Sequence, residues 1–376
     1  MKTKFQFVLP ALMMIFLSTG GCKKNTITYT GNGNKPDSLI HYTDLHLYSP
    51  QSPFNQKIDS NAVTDPQSAI YISALIESAQ PQDKFVISLK QFSASVFVAN
   101  DSTPRHQVYL PCGDYWQLGV NYLDQVPIPD FAEPSYDKDG ENRPVKAGKC
   151  GEKSDQDNNM VILDLDNRCE YDFWQARKVN GDWEASWANS ISMDGTGVYE
   201  YGLSTRGSGL AFLGGIIWPD ELNNGEIKHA LVFNYSLTKS NGPVAPASES
   251  DGEVNREDAL PEGAHLRLDP TLDLLTLNLD PAEMVIARAM QVYGLYLCDN
   301  GGGGGHGSQG GTGIGLYAVD PKSVKINPYL GLLPDEDYPI LAHIPLDKLQ
   351  VLKLPQQDEF FQDKLKLVNT ACAQFE

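Results

Sequence analysis

Three things are scarce in this chain of 376 residues, and each scarcity excludes something. Positive charge is the first: 29 Lys and Arg stand against 48 Asp and Glu, for a net charge of −19. Binding to a nucleic-acid backbone is driven by Lys and Arg neutralising phosphates, so nucleic acid is excluded as a partner. Long apolar runs are the second. The run that comes closest, Phe5 to Leu17, covers 13 residues, short of the ~20 that a helix needs to cross a bilayer. Clustered cysteine is the third: six are present, no two form a CxxC pair, and none stands with His at zinc spacing. Cofactor motifs are missing as well. The stretch from Asn300 to Gly315 holds ten glycines around His306, but it lacks the Gly-Lys-Ser/Thr ending with which a phosphate loop holds a nucleotide, and it reads as a mobile surface loop. Neither a cofactor nor a defined metal site is therefore expected. An acidic surface serves a secreted protein for solubility, and acidic groups can also gather Ca²⁺, whose ligands are oxygens.

What is present begins at the N-terminus. Lys2 and Lys4 precede the apolar run, the small residues Ser18, Thr19, Gly20 and Gly21 follow it, and then comes Cys22. That order is the order of a secretory signal. It resembles bacterial lipoprotein signals, in which the cysteine becomes the lipidated first residue of the mature chain. It departs from them in having Thr19 three places before the cysteine, with Leu17 two places further back. The resemblance implies a signal over 1–21, lipidation of Cys22, and a place in the cell envelope, periplasm or surface, with membrane contact through the anchor only. An ordinary secretory signal or an uncleaved anchor is the alternative. With Cys22 lipidated, five thiols remain, which gives two disulfides and one cysteine left over. Cys150 and Cys169 bracket a polar segment and are one candidate pair, although spacing does not fix connectivity.

Residues 22–38 are rich in Lys, Asn, Thr and Gly and read as a tether. Residues 39–376 read as one large β-rich domain. Runs rich in Val, Ile, Tyr, Phe and Trp predict strands at 84–89, 95–98, 107–110, 160–165, 170–177, 183–191 and 229–237. Asp65-Pro66 and Asp280-Pro281 each offer a cap followed by Pro at a first helical position, predicting helices from there to about Ala79 and through Tyr293. Glu283 completes a capping-box pattern in the second. A short turn is expected at Pro219 to Asn224. Many strands with a few helices between them predict a mainly β fold, a β-sandwich or jelly roll with helical insertions, rather than alternating βαβ units.

Chemistry has three candidate locations. In a strand over Glu170-Tyr171-Asp172-Phe173-Trp174-Gln175, Glu170, Asp172 and Trp174 share one face. Two carboxylates beside an indole on an open sheet face suit a sugar-processing groove, in which acids flank the bond and a ring stacks on the sugar. The strand resembles the Glu-x-Asp-x-x-Glu strand of jelly-roll glycoside hydrolases, with Gln175 in place of the last acid. A solvent-facing acidic strand over a Tyr171/Phe173 core is the plainer alternative. A second group is Trp218, Asp220, Glu221 and His229, where His229 is a candidate base. The third is Arg267, which can receive a carboxylate, and Asp299, at the point where an ordered run gives way to the glycine loop.

The segments 52–58, 171–176, 209–219, 229–231, 261–264 and 293–300, taken together, resemble a family of secreted bacterial proteins without a firmly assigned activity. The resemblance spans about 50–300 and implies an extracytoplasmic β-rich fold. It departs from the family at Asn159-Met160, where relatives tend to carry His before the Met. Export, a strand-rich body, five tryptophans, 17 tyrosines and the Glu170/Asp172/Trp174 face point to a lipoprotein whose β-sandwich binds a polysaccharide, with cleavage as a further step. In that reading Glu170, Asp172 and His229 are catalytic, and Trp174, Trp218, Arg267 and Asp299 bind substrate. The alternative is a non-catalytic envelope or surface interaction protein.

Overall fold

Val-, Ile- and Phe-rich runs such as Phe85–Ser88, Ser95–Ala99 and Met160–Asp164 are covered on both faces, whereas strands such as Arg105–Tyr109 and Asp182–Glu184 alternate buried with exposed residues. The computed structural model describes residues 34–80, 83–116, 118–135, 150, 157–200, 203–301, 314–357 and 372. The signal, Cys22 and most of the tether lie outside these residues, as does 302–313 with His306. Among the described residues, no helix is long and apolar enough to cross a membrane.

The largest sheet has seven strands, in the order Ile340–Leu341, Phe85–Ser88, Ile314–Tyr317, Leu231–Tyr235, Leu295–Asn300, His265–Leu268 and Leu349–Val351. A second sheet has four: Ser95–Ala99, Met160–Asp164, Cys169–Trp174 and Trp187–Ser192. A third has Tyr122–Pro127, Arg105–Tyr109, Asp182–Glu184 and Arg177–Val179. The mainly β expectation holds. The sheets are mixed, since Phe85–Ser88 runs parallel to Ile314–Tyr317, Leu231–Tyr235 to Leu295–Asn300, and Ser95–Ala99 to Met160–Asp164.

Alternation along the strands shows how the sheets stack. In the largest sheet, Leu231, Phe233, Leu295 and Leu297 belong to one apolar cluster, which includes Leu75, Ile286 and Met290 from the helices. Their neighbours Val232, Tyr296 and Cys298 belong to another, together with Val96, Val98, Val161 and Leu163 of the second sheet. Phe97, Met160, Ile162, Tyr171 and Phe173, on the opposite face of the second sheet, pack with Val108, Leu123 and Trp183 of the third. The order of layers is helices, large sheet, second sheet, third sheet. The second sheet is therefore an inner layer.

Helix starts follow the cap chemistry. Asp280 Oδ1 accepts from Glu283 N at 2.8 Å and Asp280 N donates to Glu283 Oε2 at 3.0 Å, closing the expected capping box of helix Pro281–Val292. Helix Pro219–Asn224 stops at Gly225, whose φ of 78° is the left-handed value that glycine adopts at little cost. The first helix begins at Ser68, later than its cap signal, because Asp65 caps the preceding turn through Gln67 N instead. Along it Tyr71, Ala74 and Leu75 are buried and Ile70 is exposed.

Among the described residues two disulfides form, Cys112–Cys150 and Cys169–Cys372, and Cys298 is free and buried. The count of two bridges and one thiol left over holds. The pairing of Cys150 with Cys169 does not: Cys169 lies in an interior strand facing the third cluster, where Cys372 packs against it. The Cys169–Cys372 bridge spans 203 residues, and closing so long a loop removes much entropy from the unfolded chain. The double variant C169A/C372A is expected to lose about 3–5 kcal/mol of stability in reversible chemical denaturation. A loss below about 1 kcal/mol would contradict the assigned pairing.

Candidate functional site

The acidic strand does not face solvent. Glu170 and Asp172 share one face, as the pleat requires, with Tyr171 and Phe173 on the other, but both acids are fully buried. Their strand is interior in its sheet and its sheet is interior in the stack, so the expected open groove is absent. Tyr199 and the segment 203–217 cover them, and their hydrogen bonds hold these residues there. Glu170 accepts from Tyr48 Oη at 2.6 Å and Leu213 N at 3.0 Å, and Asp172 accepts from Tyr199 Oη at 3.0 Å and Phe212 N at 3.1 Å. Burial, joined by the charge of Asp172, raises the Glu170 pKa well above the usual carboxyl range. Asp172 is raised by burial too, while hydrogen bonds from Glu170, Phe212 and Tyr199 act the other way. Both acids therefore hold their protons more tightly than free carboxyls do.

The second expected group also comes together inside the protein. Trp218 and His229 are fully buried, His229 Nε2 lies 3.1 Å from Glu221 Oε2, and its Nδ1 lies 2.9 Å from Ala230 O. Burial favours the neutral ring, but the Glu221 carboxylate outweighs it and the His229 pKa rises. Asp220 Oδ2 accepts from Tyr42 N at 3.0 Å. Arg267 lies on a strand of the large sheet and donates to Gln350 at 2.9 Å. None of these residues reaches the main cleft.

That cleft, of about 310 Å³, opens where the end of the Cys169–Trp174 strand meets the end of Leu295–Asn300. Trp174 and Asp299, two of the expected substrate-binding residues, both line it. Trp116 and Trp187 complete an aromatic wall, with ring centres 5.5 Å apart, and Trp116 lies 6.5 Å from Trp174. Asp157 accepts from Trp174 Nε1 at 3.0 Å, which fixes both side chains. Opposite stand Arg206, Asp251 and Asp299, with Tyr317 donating to Asp299 at 3.4 Å. Arg206 is 1% exposed, donates to the carbonyls of Phe212 and Gly214, and is stacked between the rings of Phe212 and Tyr317. Three buried polar atoms of the lining, Trp116 Nε1, Thr205 Oγ1 and Arg206 Nε, have no hydrogen-bond partner.

Carboxyl groups crowd this cleft. Burial, with the Asp251 charge, raises Asp299 to about 7, against the pull of Arg206. Burial raises Asp157 to about 6, partly offset by the Trp174 N–H. Asp251 is likewise raised to about 6 by burial. The residue as a whole is exposed, but its carboxyl end is enclosed against Gly207, where a Cβ would come within 2.6 Å of Asp251 Cγ, so glycine is required for the approach. Behind them Glu262 is fully buried, carried on the Pro-Glu-Gly turn by Gly263, whose φ is 85°.

Trp116, Asp157, Trp187, Arg206 and Asp251 carry no distinctive sequence signal, because they come from separate turns and strand ends. Glu262 sits on a Pro-Glu-Gly turn, and turn chemistry says nothing of which way the acid points. Comparison with protein-family profiles, curated proteins and solved structures finds no match.

Glu170, Asp172 and His229 each hold a proton more tightly in the folded chain than in the unfolded one. Unfolding releases those protons, so their contribution is complete at low pH and is lost as pH rises through the folded values. The Tm is expected to fall between roughly pH 5 and 8, and Glu170→Gln, neutral throughout, to flatten that fall. A Tm that climbs over the same range would refute the assignment.

Proposed function

We propose that this chain is an exported lipoprotein that binds a polysaccharide in the tryptophan-walled cleft. The observation that carries this is the meeting of Trp116, Trp174 and Trp187 with Asp157, Asp299 and Arg206 around one opening of about 310 Å³. Sugar rings present apolar C–H faces and a rim of hydroxyls, and the cleft offers the complement: indole faces for stacking, carboxylates that accept from hydroxyls, and unpartnered donors for ring and hydroxyl oxygens. The volume sits within the range of about 300–1,000 Å³ usual for ligand sites. The resemblance of the segment up to Cys22 to a lipoprotein signal supports export, as do the two disulfides, which form in oxidising compartments.

If the bound glycan is cleaved, Asp157 and Asp299 are the carboxyls placed to act as acid and base. The non-catalytic alternative is favoured by one observation: Glu170, Asp172 and His229 all spend their polar atoms inside the protein.

A panel of neutral and acidic glycans tests the binding. Trp174→Ala is expected to weaken the best ligand about tenfold or more, a loss of ~1.4 kcal/mol, as removal of a stacking ring should. Asp157→Asn is expected to abolish any turnover while leaving the fold intact by circular dichroism. Absence of binding across the panel overturns the proposal, and binding without turnover assigns the chain to the non-catalytic class.

A further inference from the structure

One wall of the cleft carries more negative charge than its neighbours balance. Asp251, Glu262 and Asp299 each place one carboxylate oxygen within 4.8 Å of the others. Two oxygens that share an ion at about 2.4 Å are at most about 4.8 Å apart, so this spacing suits a common cation. Asp299 also acts on a fourth carboxyl, Asp157, and the Arg206 guanidinium pulls on Asp299 from the other side.

Glu262 supplies an independent observation. It is fully buried, its Oε2 accepts from Asp251 N at 3.0 Å, and its Oε1 is buried with no hydrogen-bond partner. The Ser250 hydroxyl is near this carboxylate but accepts from Gly252 N and is not in bonding geometry with Oε1. A buried carboxylate oxygen without a donor is costly, and a proton or a cation is what relieves it.

We infer that Asp251, Glu262 and Asp299 form a site for a hard divalent cation, calcium foremost, at the wall of the cleft. All three donors are carboxylates, which suits Ca²⁺ or Mg²⁺ rather than a thiolate- or imidazole-seeking metal. The neighbouring Cys298 thiol is not part of the group, and burial keeps it protonated. The three carboxylates offer up to six oxygens, and the exposed side of Asp251 gives the ion a route in and room for water. The acids are held from two directions, Asp299 at the end of strand Leu295–Asn300 and Asp251 and Glu262 from the segment before strand His265–Leu268. This site stands on its own geometry and does not depend on a glycan being the ligand of the cleft.

The test is calcium titration of the full-length chain in detergent, stripped with chelator, at neutral pH, by calorimetry and by thermal denaturation. One saturable site per chain and a Tm that rises with the logarithm of calcium concentration are expected. Asp251→Asn, at an exposed position, should keep the metal-free Tm and weaken calcium about tenfold or more, and Glu262→Gln should do the same from the buried end. Trp174→Ala, which the glycan reading says should lose sugar, should bind calcium unchanged. No saturable binding of calcium or magnesium up to about 10 mM would overturn the inference and leave a shared proton between the carboxyls. Unchanged affinity in both acid variants would overturn it as well.

Discussion

Two carboxyls buried in the middle of the protein hold the layers in place through the hydrogen bonds they accept. Glu170 and Asp172 sit on an interior strand of an inner sheet, where a lone carboxylate would be heavily penalised. Burial raises the proton affinity of both, and Asp172 accepts two hydrogen bonds and lies near Arg206. In return they fix the backbone at Phe212 and Leu213. That segment carries Arg206, whose guanidinium binds the carbonyls of Phe212 and Gly214 and forms one side of the cleft. The acids taken from the sequence as the site are instead the support beneath it.

The same economy explains the cleft. Its aromatic wall is made where the inner strand ends: Trp174 is opposite Trp187 in register, and Trp116, four residues beyond the disulfide-bonded Cys112, packs against both. Asp157 immediately precedes the structure that leads into strand Met160–Asp164 and is pinned by the Trp174 indole. On the far side, Asp299 ends the strand that carries the buried thiol of Cys298. Each lining group is thus attached to a rigid strand or to a turn tied to one, which is the condition for a site whose geometry survives ligand binding.

Charge divides between two environments. The chain carries a net charge of −19, and repulsion between exposed charges is screened by salt and water. In the cleft the acids lie close together under low solvent access, so their proton affinities climb, as Asp299 shows. Crowded carboxyls of this kind mark a place where a proton, a cation or a hydroxyl-bearing ligand has to be accommodated.

Local chemistry was legible in the sequence wherever it depended on neighbours along the chain. The capping box at Asp280/Glu283, the short helix after Trp218-Pro219, the strand cores at Phe85–Ser88 and Met160–Asp164, and the two-bridge cysteine count all follow from residue type and spacing. The pleat also placed Glu170 and Asp172 on one face correctly. Whether that face met water was a different question, since alternation fixes which side a residue points to and says nothing of what lies on that side. Only the stacking of three sheets buried it. The same stacking sent His229 and Trp218 inward, paired Cys169 with Cys372 across 203 residues, and brought Asp157, Trp174, Arg206, Asp251 and Asp299 from five separate segments to one cleft. Proximity across such distances is set by how the layers pack, and no local pattern encodes it.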